Sequence, residues 1–278
     1  MNDAAPEYIA ARGVLLDALH ALVDHRSSLV LVGAQAVYLH TGPVAGTGIQ
    51  MTTDSDLALD ADLLTDDPEL TATLRAANFT SVPNLPGQWE SPMGIRVDLM
   101  TVPHQSNRDK GKRAADLAPH GKETARITPG LEPALVDNST MLVPALADDD
   151  DRAVLLRVAG PAALLSAKLT KLRERYEDVL RGRGKTRLKE KDVLDCYRIL
   201  MKIETSALVT GFESHRVSVE ALEVTRTALR FFDEQFQLSA DGALRNLLIT
   251  ALPGDSVAPG SFDALSEDLI TALPNDLF

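Results

Sequence analysis

The chain has 278 residues, 45% of them hydrophobic and 4% aromatic, with a formal net charge of −12. That length suits two ordinary domains or one large one, with cores built from Leu, Val, Ala and Ile. The single cysteine, Cys196, excludes an internal disulfide and a cysteine-based zinc site; no apolar run is long enough to span a bilayer; and the acidic balance argues against generic nucleic-acid binding.

The start, MNDAAPEYIAARG, has no basic stretch followed by an apolar core, so the expectation is a cytoplasmic protein without a secretory leader or membrane partner. Residues 5–24 carry Tyr8, Leu15, Leu19 and Leu22 at helical spacing and predict an amphipathic first helix. Leu29–Val32 reads as a buried strand that runs directly into Gly33 and a helix over Ala34–His40. Such a turn lets a phosphate approach backbone N–H groups at the positive end of the helix, although many α/β turns carry one glycine for packing alone. A loop with Gly42, Gly46 and Gly48 leads to a strand over Met51–Asp60. A helix over Glu69–Ala77, short strands at Phe79–Val82 and Gln88–Ser91, and a strand over Ile95–Val102 follow. Residues 103–130 read as a long polar loop, and Leu135–Leu146 and Arg152–Val158 as further strands. At Gly160-Pro161 the character changes to helices: Ala162–Leu180, Lys191–Ile203, 217–237, 240–252 and Ser261–Leu273, the last with Ser261 as its N-cap. These patterns predict an α/β (α+β) chain with a mixed or antiparallel sheet over 1–159 and a helical part over 160–278.

Chemistry concentrates in the strand at Met51–Asp60. Asp54 and Asp56 are two apart, so they share a face, roughly 6–7 Å apart along the strand. Neighbouring carboxylates repel unless a cation lies between them. Asp98, inside Ile95-Arg96-Val97-Asp98-Leu99-Met100, is a third candidate. Three carboxylates from two strands suit one or two magnesium ions, which prefer oxygen ligands. Basic charge is concentrated too: residues 103–126 and 168–202 hold 18 of the 28 Lys and Arg but 9 of the 40 Asp and Glu, so both segments are candidates to face a phosphate-bearing substrate. Lys168, Lys171 and Arg175 share a helix face, and Asp192 and Asp195 share another. On the residues alone, Lys168 could snorkel to solvent, Asp192 could pair locally with Lys189 or Lys191, and Trp89 could pack or stack on a base.

Gly33 at a strand–helix turn, Thr52-Thr53-Asp54-Ser55-Asp56 and Val97-Asp98-Leu99 together resemble the nucleotidyltransferase fold shared with DNA polymerase beta. Ala167-Lys168-Leu169 followed by Lys191-Asp192-Val193-Leu194-Asp195 resembles the abortive-infection AbiEii-type toxins, including the mycobacterial MenT enzymes. The resemblance covers about residues 28–203. It departs at Ala34 and Gln35, where such families have glycine or serine. It implies a nucleotidyltransferase-type mixed sheet with flanking helices, then a C-terminal helical bundle. It also implies transfer of a nucleoside monophosphate from an NTP such as ATP or CTP to an acceptor hydroxyl, with release of pyrophosphate. Under it, Asp54, Asp56 and Asp98 hold Mg²⁺ (or Mn²⁺), Lys168 neutralises the triphosphate, and Asp192 contacts the nucleotide or positions Lys168. Gly33, Ala34, Gln35, Thr53, Ser55 and Asp195 line the nucleotide. A toxin of a toxin–antitoxin pair acting on RNA, the tRNA 3′ end foremost, is the expected role, with a cognate antitoxin as partner. Lys110, Lys112, Arg113, Lys122 and Arg126 are the expected RNA contacts. A small-molecule or protein hydroxyl as acceptor, or an inactive nucleotide-binding module, are the alternatives.

Overall fold

The computed structural model describes residues 4–109, 111–183 and 190–278. Helix α1 (Pro6–Ala21) has proline in its first turn, where the missing N–H costs nothing, and buries Tyr8, Leu15 and Leu19. Strand β1 (Leu29–Val32) is four apolar residues covered on both faces. Helix α2 (Gly33–Thr41) follows without a connecting loop, then come strand β2 (Asp54–Leu59), helix α3 (Leu70–Ala76), and strands β3 (Thr80–Ser81), β4 (Gln88–Glu90), β5 (Arg96–Thr101) and β6 (Arg126–Ile127). Helix α4 (Glu132–Val136) and the hairpin β7 (Asn138–Pro144) and β8 (Ala153–Ala159) complete the sheet-bearing part. Helices α5 (Pro161–Leu180), α6 (Glu190–Lys202), α7 (Thr205–Ser214), α8 (Val219–Gln237), α9 (Ala243–Ala251) and α10 (Ala258–Ala272) make up the rest.

The sheet order is β3-β4-β5-β2-β1-β8-β7, with β6 beside β5. It is mixed: β2 runs antiparallel to β1 and parallel to β5, while β1 is parallel to β8. The central pair β1–β2 is what places Gly33 next to the acids, because Val32 is in register with Asp56. Helix α5 packs against α6, α7 and α8 and also meets α2, so apolar residues of the sheet and of the C-terminal helices join one continuous core. No described helix is long and apolar enough to cross a membrane.

Four expectations are corrected. Leu135 and Val136 are helical, because Pro133 opens α4, and the strand begins only at Asn138. Helix α7 has no counterpart in the sequence reading. Ser261 lies inside α10, whose N-cap position is Val257; Asp255 Oδ1, two residues earlier, accepts the N–H groups of Val257 and Ala258 at 2.9 Å each. Residues 103–130 are not an open loop. Ala115, Leu117 and Ala125 are buried, and His120 lies beneath the start of α3, where Leu70 N–H donates to its Nδ1 at 3.3 Å. Trp89 packs, donating from Nε1 to the Thr124 carbonyl at 3.1 Å. The expected basic turn between α5 and α6 falls largely on residues 184–189, outside the described residues.

Candidate active site

Alternation along β2 sends Asp54 and Asp56 to one face and Ser55 to the other. Ser55 is fully buried, its hydroxyl donating to the Ala11 carbonyl at 3.1 Å. In the parallel pair β2–β5, Asp56 stands opposite Asp98 and Asp54 opposite Arg96. The three acids therefore converge on one side of the sheet. Burial, then the charges of Asp54 and Asp98, push the Asp56 carboxyl up to about 6. Asp98 is also raised by burial and by Asp54, while Arg126 and a hydrogen bond from Gln88 oppose the rise. Thr52, which belongs to the acid motif but was given no role there, steadies Asp54 by donating from Oγ1 to Oδ1 at 2.8 Å.

Gly33 has φ of +69°, and a Cβ built on it collides with the Asp56 carboxyl. Glycine is required there twice over, by backbone conformation and by the closeness of the acid. Ala34 is buried just inside α2, and Thr53 is exposed on the approach to β2. Gln35 is committed elsewhere. Its Nε2 donates to the Ser55 hydroxyl at 2.7 Å and the Asp54 carbonyl at 3.1 Å, and its Oε1 accepts from Arg12 Nε at 2.7 Å. Buried on the Ser55 side of β2, Gln35 and Ser55 brace the acid strand and face away from the acids they were expected to accompany.

Helix α5 crosses above this face. Lys168, Lys171 and Arg175 project from successive turns into a cleft of about 400 Å³ whose opposite wall holds Gly33, Asp56, Arg126 and Thr128. Lys168 is almost fully buried, with Nζ 2.7 Å from Asp195 and 3.3 Å from Asp192. Burial alone would lower its pKa, but the two carboxylates, with Asp56 adding to them, hold it well above the ordinary range. Asp192 does not pair with Lys191. It accepts from Lys171 at 3.1 Å and Arg175 at 2.5 Å besides Lys168. Those cations outweigh its burial and bring it down to about 2. Lys191 turns instead to Thr52 Oγ1 at 3.3 Å. Asp195 is fully buried and shared with Arg198 at 3.1 Å, and Arg198 also donates to the Thr47 hydroxyl and carbonyl, tying the glycine-rich loop to α6.

The expected RNA contacts divide. Lys112 and Arg113 are exposed and line a second, larger cleft of about 860 Å³ with His104 and Arg108, facing Glu132, Glu220 and Glu223. The two clefts meet at Ile127 and Pro129, which line both. Lys122 is exposed but lines neither, and Lys110 lies outside the described residues. Arg126 belongs to the first cleft, with Nη2 3.3 Å from Asp98 Oδ2.

The donor set on β2 and β5 is purely carboxylate oxygen, with Asp98 buried and Asp54 and Asp56 partly so, and Lys171 and Lys168 only partly offset the burial and repulsion that raise Asp56. That chemistry fits a hard divalent cation, and the missing Cβ of Gly33 is what lets the Asp56 carboxyl sit against the strand–helix turn. Among the described residues no three His, Cys, Asp or Glu side chains form a ready-made metal cage, and Asp98 is engaged by Arg126 and Gln88.

The profile of a family described as nucleotidyltransferase matches residues 11–204, which takes in every acid and cation of this cleft. The chain is also similar to an H. pylori protein whose crystal structure is described as that of a proposed nucleotidyltransferase, at 12% identity over 97% of both chains with a TM-score of 0.39. No curated protein matches the chain.

Proposed function

The chain belongs to the nucleotidyltransferase family, and on that premise we propose that the cleft beneath α5 binds a nucleoside triphosphate and transfers its monophosphate to an acceptor hydroxyl. One observation carries this reading: Asp56, in register with Asp98 and on the same face as Asp54, lines one cleft with three cations from a single helix. Phosphoryl transfer asks mainly for positioning and charge neutralisation. The acceptor oxygen bonds to the α-phosphorus, the bond from that phosphorus to the β-phosphate oxygen breaks, and pyrophosphate leaves. Lys168, Lys171 and Arg175 provide fixed positive charge for the triphosphate, with Asp192 and Asp195 holding Lys168 in place. Asp98 is the candidate to take the acceptor proton. A divalent magnesium, or manganese in its stead, would be held by Asp54, Asp56 and Asp98 and would supply charge neutralisation at the reacting phosphate.

The acceptor in this reading is RNA, the tRNA 3′ end foremost, and the role is that of a toxin restrained by an antitoxin. Its support is the Lys191–Asp195 motif and the basic wall of the second cleft, which opens beside the first at Ile127 and Pro129. A second reading, a cationic small molecule or a protein hydroxyl, draws support from Glu132, Glu220 and Glu223 on the opposite wall.

Incubation with each labelled NTP, Mg²⁺ and total cellular RNA and protein separates the readings. Label in tRNA-sized RNA, lost in Asp56→Ala and weakened by replacing Lys112 and Arg113 with glutamine, is the expected result. Label in protein or in small molecules selects the second reading. Transfer that survives Asp56→Ala removes the mechanism.

A further inference from the structure

Arg126 comes from the basic segment but does not sit with it. It is in register with Met100 where β6 takes over the edge of β5 from β4. Gly87 makes that handover possible. Its φ is +75°, its carbonyl accepts from Leu99 N–H at 2.7 Å, and a Cβ there collides with the Arg126 backbone. The guanidinium is thereby brought into the catalytic cleft, on the third acid of the site.

Its grip is loose. Nη2 lies 3.3 Å from Asp98 Oδ2 and 3.2 Å from Met100 Sδ, and Nε lies 3.4 Å from Thr128 Oγ1. A second donor, Gln88 Nε2, reaches the same Asp98 oxygen at 3.3 Å. Strong charge-assisted bonds are about 2.7–2.9 Å, and the neighbouring pairs Lys168–Asp195 and Arg175–Asp192 close to 2.7 and 2.5 Å. Lys168 and Arg175 on α5 are thus tightly held, whereas Arg126, with 28% of its side chain exposed, is, like the outer cation Lys171, held at longer range. Residues Ile127 and Pro129, on either side of Thr128, form the ridge between the two clefts.

We infer that Arg126 is the resting counter-ion of Asp98, surrendering that carboxylate to a divalent cation and turning to a substrate phosphate when the site is loaded. This rests on the cation site of the proposed function. Arg126 offsets part of the negative charge of the empty acid cluster at Asp98, and its release couples cation occupancy to capture of phosphate. The phosphate belongs either to the nucleotide or to the acceptor, since the ridge borders both clefts.

Manganese binding to the full chain without nucleotide, read by the paramagnetic resonance of free Mn²⁺, tests the first half. Two cations competing for one carboxylate are thermodynamically coupled, typically by roughly 5–150-fold in affinity. Arg126→Gln is therefore expected to bind Mn²⁺ at least about fivefold more tightly than wild type, and Arg126→Lys, which keeps the charge, to stay near wild type. In an Asp98→Asn background the same Arg126→Gln change is expected to have no effect. Equal Mn²⁺ affinity in wild type and Arg126→Gln overturns the inference while leaving the cation site standing. Absence of Mn²⁺ binding in every variant overturns the cation site and this inference with it. With Mn²⁺ present, calorimetry with an α,β-methylene NTP and with a short RNA tests the second half. Weaker binding of one of them by Arg126→Gln is expected and names the source of the phosphate. Unchanged binding of both overturns the second half.

Discussion

Asp56 and Asp98 stand side by side in register on the parallel strands β2 and β5, with Asp54 one pleat along on the same face. Burial and this proximity raise Asp56 to about 6 from an ordinary value of 3.8. A carboxyl with a raised value keeps its proton in the folded chain after the unfolded chain has released it. Stability therefore falls as pH rises from about 4 to 6 and stays low above that range.

Asp56→Asn removes this penalty. In EDTA at pH 8 the variant should be more stable than wild type by on the order of 1–3 kcal/mol, with the gain vanishing near pH 4. Urea denaturation at the two pH values measures it. No gain at pH 8 would mean that the acids are not mutually destabilising. The same variant should lose transfer, giving up function while gaining stability, as expected of a site built from like charges.

Gly33→Ala acts on the same acid from the other side. The substitution forces an L side chain into φ of +69° and drives its Cβ into the Asp56 carboxyl. Left-handed strain of this kind costs about 1–3 kcal/mol. Loss of that size in denaturation, together with a fall in kcat, is expected. A fully active variant of unchanged stability contradicts the contact.

The elements that carry the acids were legible in the chain. The apolar run Leu29–Val32, the glycine after it, and acids spaced by two inside an apolar strand pattern are local signals, and each falls where its pattern put it. What could not be read is set by pairing between distant segments. Arg126 looked like one more charge in a polar stretch, and only the β5–β6 register aims it at Asp98. Asp192 has cations close to it in sequence, yet its partners lie a helix away, at Lys168, Lys171 and Arg175. Helix α7 was missed because just two of its ten residues, Leu208 and Phe212, are buried.

The cations on α5 should separate by burial. Lys168 is enclosed by Asp192 and Asp195, so Lys168→Met leaves Asp195 to Arg198 and removes the centre of a buried network. A loss of about 3–5 kcal/mol is expected, along with activity. Lys171 has 47% of its side chain exposed and one partner, Asp192, which keeps two other cations. Lys171→Gln should change stability by less than about 0.5 kcal/mol while raising KM for the nucleotide. If both variants lose stability alike, the division between structural and substrate-facing charge does not hold.

Gln35 tests whether the second residue past Gly33 touches nucleotide or scaffold. Its amide joins three groups on two other elements: Arg12 on α1, and the Ser55 hydroxyl and Asp54 carbonyl on β2. Arg12 is itself fully buried, with its other nitrogens on the Pro144 carbonyl at 2.8 Å and the Tyr8 hydroxyl at 2.7 Å. Gln35→Leu is close in size but leaves Arg12 Nε and the strand without their partners, and each buried group left unpaired costs about 1–3 kcal/mol. Loss of stability in that range is expected. KM for the nucleotide should stay near wild type, with a lower kcat because Asp54 and Asp56 ride on the strand that Gln35 braces. Unchanged stability with a raised KM would instead put the Gln35 amide on the triphosphate, and β2 would need some other support against α1.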